Sequence, residues 1–213
     1  MINLLNTIII MILVLNLFAL GMKRIISVIR VIALQGILLG MLPLIMHEHI
    51  VISQIISAAA AIGLKGMIIP FIMRRALRDA KIKHEVEPLV GLVPSIILGA
   101  IVTAVSFFIS SQMFSVNEEH ERMIISASIT TILVGFILLV TRYKAISQVM
   151  GYLVLENGIF IFSLLLMVAI PLVVEMGMLL DLFVSIFIIS IITNHINQAF
   201  SSLDTRQLTS LKE

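Results

Sequence analysis

An all-α integral membrane protein is the fold class this sequence predicts, and three observations predict it. Hydrophobic residues make up 60% of the 213 positions and charged residues only 12%, with a mean hydropathy of +1.19; a soluble domain carries roughly 25% charged residues. The apolar residues come in long runs of about 20, the length a helix needs to cross a hydrocarbon core. Lys and Arg gather in short clusters at the ends of alternate runs. The runs are apolar on every side, whereas a membrane β-strand alternates apolar and polar residues over about ten positions, so helices are expected. The formal charge of +2 is too small to point to nucleic acid, and the absence of cysteine rules out disulfides and thiolate-held iron–sulfur centres within this chain.

Seven runs are long enough to span. The first is Asn3 to Gly21, which lacks a basic leader and a small-residue cleavage site and so reads as a mature span rather than a signal peptide. The second is Ile25 to Met46, with Pro43 near its end, and the third is Ile50 to Met73, with Lys65 inside and Pro70 near its exit. The fourth is Leu89 to Phe114 and the fifth Met123 to Val140. The sixth, Ala145 to Ala169, carries Glu156; the seventh starts after Pro171, contains Asp181 and ends near Ala199.

Charge placement orients these spans. Lys23 and Arg24, then Arg74, Arg75, Arg78, Lys81 and Lys83, then Arg142 and Lys144, then Arg206 and Lys212 all fall on one side of a seven-span chain. The opposite loops hold His47, Glu48 and His49, then residues 118–122, then Glu175, with Arg122 their one Lys or Arg. The positive-inside rule places the N-terminus outside and the C-terminus in the cytoplasm. A duplication is also expected. Lys23 precedes Gln35 by the same twelve residues that separate Lys144 from Glu156, and Ile25, Val28 and Leu34 match Ile146, Val149 and Leu155. Residues 1–84 and 119–213 then form two parallel three-helix repeats, and the odd number of crossings in each requires a linking helix within 85–118.

Polar residues inside the spans are the candidate site. Glu156 sits about three turns into its helix, where an ionised, unpaired acid costs several kcal/mol; such residues mark ion paths. Burial disfavours the charged form and a nearby cation favours it, which can poise a group to exchange protons. Asn157 adds a second polar group, and Gly158 permits close helix approach. Asp181 lies equally deep, with Ser185 and His195 near the same face, so the three form a polar stripe toward the cytoplasmic edge. Lys65, flanked by Gly63 and Gly66, lies about 13 Å before the Arg74–Arg75 edge at helical rise, and reads as a relay lysine or the counter-charge of a carboxylate. Gln35 takes the repeat position of Glu156 without its charge. Structural alternatives stand beside each: a neutral acid gluing helices, a snorkelling lysine, an interfacial histidine. Arg30 is close enough to the edge to snorkel. His47, Glu48 and His49 have metal-ligand chemistry but make a poor cage within one loop, so no metal is expected.

The sixth span, with MGYLVLENGIFIF, and the segment LDTRQLTSLK resemble hydrogenase-4 component E over essentially the whole chain. Residues Met123 to Glu213 also resemble the three-helix subunit K of respiratory complex I and its relatives in multisubunit sodium/proton antiporters. The resemblance implies a membrane-arm subunit that contributes proton relays. Its partners would be antiporter-like and quinone- or hydrogenase-anchoring subunits in a prokaryotic cytoplasmic membrane. It implies no cofactor in this chain, with iron–sulfur clusters and a nickel–iron centre in partner subunits. Two intramembrane glutamates carry protons in the subunit K family. Glu156 matches the first; the second falls near Ser185, with Asp181 the nearest acid, one turn away. Alternatives from other classes are a scaffold subunit and a component of a cation/proton antiporter without a redox arm.

Overall fold

The computed structural model describes residues 2–46, 52–79, 86, 89–113 and 119–166. In order these form α1 (Ile2–Gly21), α2 (Ile25–Met46), α3 (Ile52–Ala61), a π-helical stretch (Ile62–Ile68), α4 (Ile69–Asp79), α5 (Leu92–Met113), α6 (Glu119–Thr141) and α7 (Ala145–Leu166). Among the described residues, α1, α2, α5, α6 and α7 are the five helices long and apolar enough to cross a membrane. The expected seventh span lies outside the described residues, as do His47, Glu48 and His49.

The expected third span departs from expectation in two ways. It is helical from Ile52 to Asp79 but interrupted by the π stretch. The flanking residues Ala61 and Ile69 keep right-handed helical backbone, so the helix changes its winding without turning back. Pro70 supplies a cause: it has no N–H for the carbonyl four residues earlier, and its ring crowds that turn. A π turn is common where a helix serves a function, and this one holds Lys65. The helix also continues past Met73, because α4 is two-faced. Met73 and Leu77 are buried on one side while Arg74, Arg75 and Arg78 are exposed on the other, the spacing a helix places on opposite faces.

Close backbone approach sets the helix pairs. A Cβ at Gly135 of α6 would lie 2.5 Å from the Leu155 nitrogen of α7, and one at Gly158 would lie 2.5 Å from the Ile132 nitrogen. The two helices therefore meet almost backbone to backbone, which fixes Glu156 level with Val134, about one turn from Thr131. On α2, a Cβ at Gly36 would lie 2.7 Å from Lys65 Cβ, so α2 and the π stretch meet in the same way. Helix α5 packs on α6 and α1, and its outer face exposes Val93, Ile97, Ile101 and Phe108.

Two apolar layers fill the bundle. One joins Leu20, Ile25, Ile29, Met73, Leu77, Leu138, Met150 and Val154; the other joins Ile8, Ile12, Leu39, Leu42, Ile124, Phe160, Ile161 and Leu164. Between them, each helix that enters both layers changes from apolar to polar. The turns at one end meet: the Val86 N–H donates to the Lys23 carbonyl at 2.7 Å and the Leu89 N–H to the Thr141 carbonyl at 2.8 Å. The α1–α2 turn, the segment before α5 and the α6–α7 turn thus share an end, and Lys23, Arg24, Arg142 and Lys144 are gathered there.

Candidate functional site

The polar residues between the two apolar layers form one connected set. Lys65 Nζ lies 3.5 Å from Glu156 Oε1, and the two side chains are 11% and 5% exposed. The same ammonium donates to Asn157 Oδ1 at 3.4 Å and lies 5.2 Å from the centre of the Phe160 ring, within cation–π range. Asn157 Nδ2 donates to Gln35 Oε1 at 3.2 Å, Gln35 Nε2 to Asn16 Oδ1 at 2.8 Å, and Asn16 Nδ2 to Thr131 Oγ1 at 2.8 Å. The Thr131 hydroxyl in turn donates to the Ala127 carbonyl at 2.7 Å. The chain of contacts runs from the π stretch through α7, α2 and α1 to α6.

Its depth follows from helix geometry. Glu156 lies eleven residues from the start of α7, about 16 Å at 1.5 Å per residue, near the middle of the helix. An amide buried without a partner costs about 1–3 kcal/mol. Asn16, Gln35 and Asn157 are each 1–2% exposed, and the chain gives each amide both a donor and an acceptor. The ammonium beside the carboxylate offsets the larger cost of burying either charge alone.

A second buried cation lies at the basic end. Arg142 is 2% exposed, and its Nη2 donates to the Leu20 carbonyl at 2.7 Å. That carbonyl belongs to the last turn of α1, where no intrahelical donor reaches, and a cation there complements the helix dipole. Burial pushes the guanidinium's pKa below its ordinary value, yet a guanidinium stays protonated in proteins. Arg142 and Ser147 both line a cavity of about 10 Å³ between α1, α2, α6 and α7, the size of one water molecule.

Of the residues singled out from sequence, Glu156, Asn157, Gln35 and Lys65 meet in one place. Asp181, Ser185 and His195 lie outside the described residues. Arg30 is exposed on α2. Sequence reasoning missed Asn16 and Thr131. Asn16 had a signal, as an amide flanked by leucines deep in the first run; a threonine in an apolar helix bonds its own backbone too often to stand out. Arg142 was read only as a basic edge residue; the structure buries it against α1, whose carbonyl offers the partner that makes burial tolerable.

Fold and site together define a multi-pass membrane protein whose helices close around a buried ion pair and a row of amides. Comparison with known proteins narrows the class. The chain is 27% identical over 189 residues to the Uncharacterized protein Rv0085 of Mycobacterium tuberculosis, covering 88% of this chain and 86% of that one. It is 23% identical over 158 residues to Hydrogenase-4 component E of Escherichia coli K12, covering 74% of this chain and 73% of that one, and matches the Shigella flexneri component E to the same extent. It is therefore a distant homologue of a hydrogenase-4 subunit. No family model matches the chain, and no solved structure does.

Proposed function

We propose that this chain is a membrane-arm subunit of a complex I-like hydrogenase or related respiratory complex, in which Lys65 and Glu156 form one protonatable station. The observation that carries the reading is their 3.5 Å pairing between two apolar layers, where ionisable groups are costly and mark ion paths. The pair offers several protonation states. Ammonium with carboxylate and amine with acid are both neutral overall and differ by one proton moved from Nζ to Oε1. A proton gained by the carboxylate leaves the pair at plus one; a proton lost from the ammonium leaves it at minus one. A charge change nearby shifts the balance, because charges couple strongly in a low-dielectric interior.

Similarity to Hydrogenase-4 component E supports the assembly. On this reading the partners are antiporter-like and anchor subunits in the membrane and a peripheral arm holding iron–sulfur clusters and a nickel–iron centre. The basic end faces the cytoplasm and the N-terminus lies outside. A seventh span carries Asp181, Ser185 and His195 onward from Glu156, residues 119–213 are the subunit K-like repeat, and residues 1–84 are its parallel counterpart. The test is Glu156→Gln in the assembled complex. Redox-driven proton uptake in vesicles should fall at least tenfold with assembly intact; uptake per turnover equal to wild type would sink the role. A scaffold reading has its own support, since the hydrogen bonds of the polar layer tie α1, α2, α6 and α7 to the π stretch. It is favoured if Glu156→Ala blocks assembly while Glu156→Gln pumps normally.

A further inference from the structure

The polar layer has a direction. Starting at Lys65, each bond is donated away from the ammonium: to Asn157, from Asn157 to Gln35, from Gln35 to Asn16, from Asn16 to Thr131, and from Thr131 to the Ala127 carbonyl. Every amide therefore turns its oxygen, the negative end of its dipole, toward Lys65. We propose that Asn16, Gln35 and Thr131 are positioning residues: with Asn157 they form a one-way chain that holds the Lys65 ammonium against Glu156 and closes a lateral way out for its proton toward α1 and α6. This rests on the reading of Lys65 and Glu156 as a protonatable station.

Four physical arguments support it. A carboxamide donates and accepts hydrogen bonds but does not take up or release a proton near neutral pH. To hand one on it would have to pass through its imidic acid form, so the chain polarises without conducting. The amides also share one direction. Reversing any one alone sets oxygen against oxygen on one side and NH₂ against NH₂ on the other, so the orientation at Asn16 is felt at Lys65 through cooperative bonds. The far end is anchored, because the Thr131 hydroxyl accepts from Asn16 while donating to α6 backbone. Valine cannot supply that anchor and serine can. Burial keeps the chain dry, with Asn16 and Gln35 each 1% exposed and Thr131 0%. The other titratable groups on the described parts of the surrounding elements stand apart in sequence, except Tyr152, which shares a face of α7 with Glu156. They are Tyr152 one turn before Glu156 on α7, Arg30 on α2, Arg74, Arg75, Arg78 and Asp79 on α4, residues 119–122 at the start of α6 and Arg142 just past its end.

The experiment uses the assembled complex carrying Gln35→Leu, Asn16→Leu, Thr131→Val or Thr131→Ser. It reads the pH profile of redox-driven proton uptake in vesicles and the infrared carboxyl band of Glu156. Gln35→Leu should move the alkaline limb of the profile toward acid by about one pH unit, a tenfold change in proton affinity, because Asn157 loses the acceptor that turns its oxygen toward the ammonium. Asn16→Leu should move it less and Thr131→Val least, with the Glu156 band following the same order, and Thr131→Ser should restore the wild-type profile. A purely structural role lowers the yield of assembled complex and moves neither readout. If the leucine variants fail to assemble, the two Thr131 variants decide. A wild-type profile and band in Thr131→Val overturns the proposal, and so does a Thr131→Ser variant displaced as far as Thr131→Val. Should Glu156→Gln pump normally while the band still moves in Thr131→Val, the station falls and the positioning role stands. Should Glu156→Gln stop pumping while Thr131→Val changes nothing, the station stands and the positioning role falls.

Discussion

Replacing Lys65 by methionine removes the ammonium from the polar layer and keeps most of the side-chain volume. Two unit charges 3.5 Å apart attract by about 5 kcal/mol at an effective dielectric of about 20. Much of that is offset by the desolvation of both groups, so the pair itself adds little net stability. Removing one partner is different, because the remaining charge has already lost its water; such truncations cost about 3–5 kcal/mol. Solvent screening takes little from this figure, since the side chains are only 11% and 5% exposed. Lys65→Met and Glu156→Met are each expected to destabilise by that amount, and the double variant by less than the sum. The coupling should be about 2–3 kcal/mol, the upper range for residues in contact. Titrating the detergent-solubilised chain with a denaturing detergent for wild type, both single variants and the double variant measures it. Additive single effects, with coupling below about 0.5 kcal/mol, would refute the claim that the two charges meet in the folded protein.

Two further outcomes follow from packing. Gly36→Ala puts a Cβ 2.7 Å from Lys65 Cβ and 3.0 Å from the Lys65 carbonyl carbon, so it should push α2 and the π stretch apart at a cost of about 1–3 kcal/mol and lower proton uptake. Gly63→Ala meets no atom within 4 Å and should be neutral or stabilise by up to about 1 kcal/mol; equal losses in the two variants would contradict the packing. Arg142→Leu leaves the buried Leu20 carbonyl without its donor and should cost about 1–3 kcal/mol, read as a lower unfolding midpoint. An unchanged midpoint would mean that this contact does not hold α1 to the α6–α7 turn.

Particular residues show how far the sequence could be read. Glu156 stood out because one acid in an apolar run is expensive wherever the helix lies, and Gln35 and Asn157 followed from its register and neighbourhood. Lys65 stood out by its depth before the Arg74–Arg75 edge. Asn16 was passed over because a single uncharged amide carries a small cost and no charge to compensate. The third span looked uniform because hydropathy does not register a change of winding, although Pro70 marked where the ladder loses a donor. Arg142 looked like any membrane-edge cation, and only the neighbouring α1 terminus made it a buried one.

By itself the sequence determined the solvent of this protein, the presence and approximate ends of its long helices, and which side chains could not lie against lipid. Those follow from transfer free energies and helix length, which are local properties. The tertiary structure decided which of the costly side chains satisfy one another. Lys65 and Asn157 are 92 residues apart, and their meeting depends on glycine contacts that bring α6 onto α7 and α2 onto the π stretch. Partner choice is a property of packing, because a buried polar group must be satisfied by whichever neighbour the close-packed helices bring within about 3 Å. No pattern within a single helix specifies that neighbour.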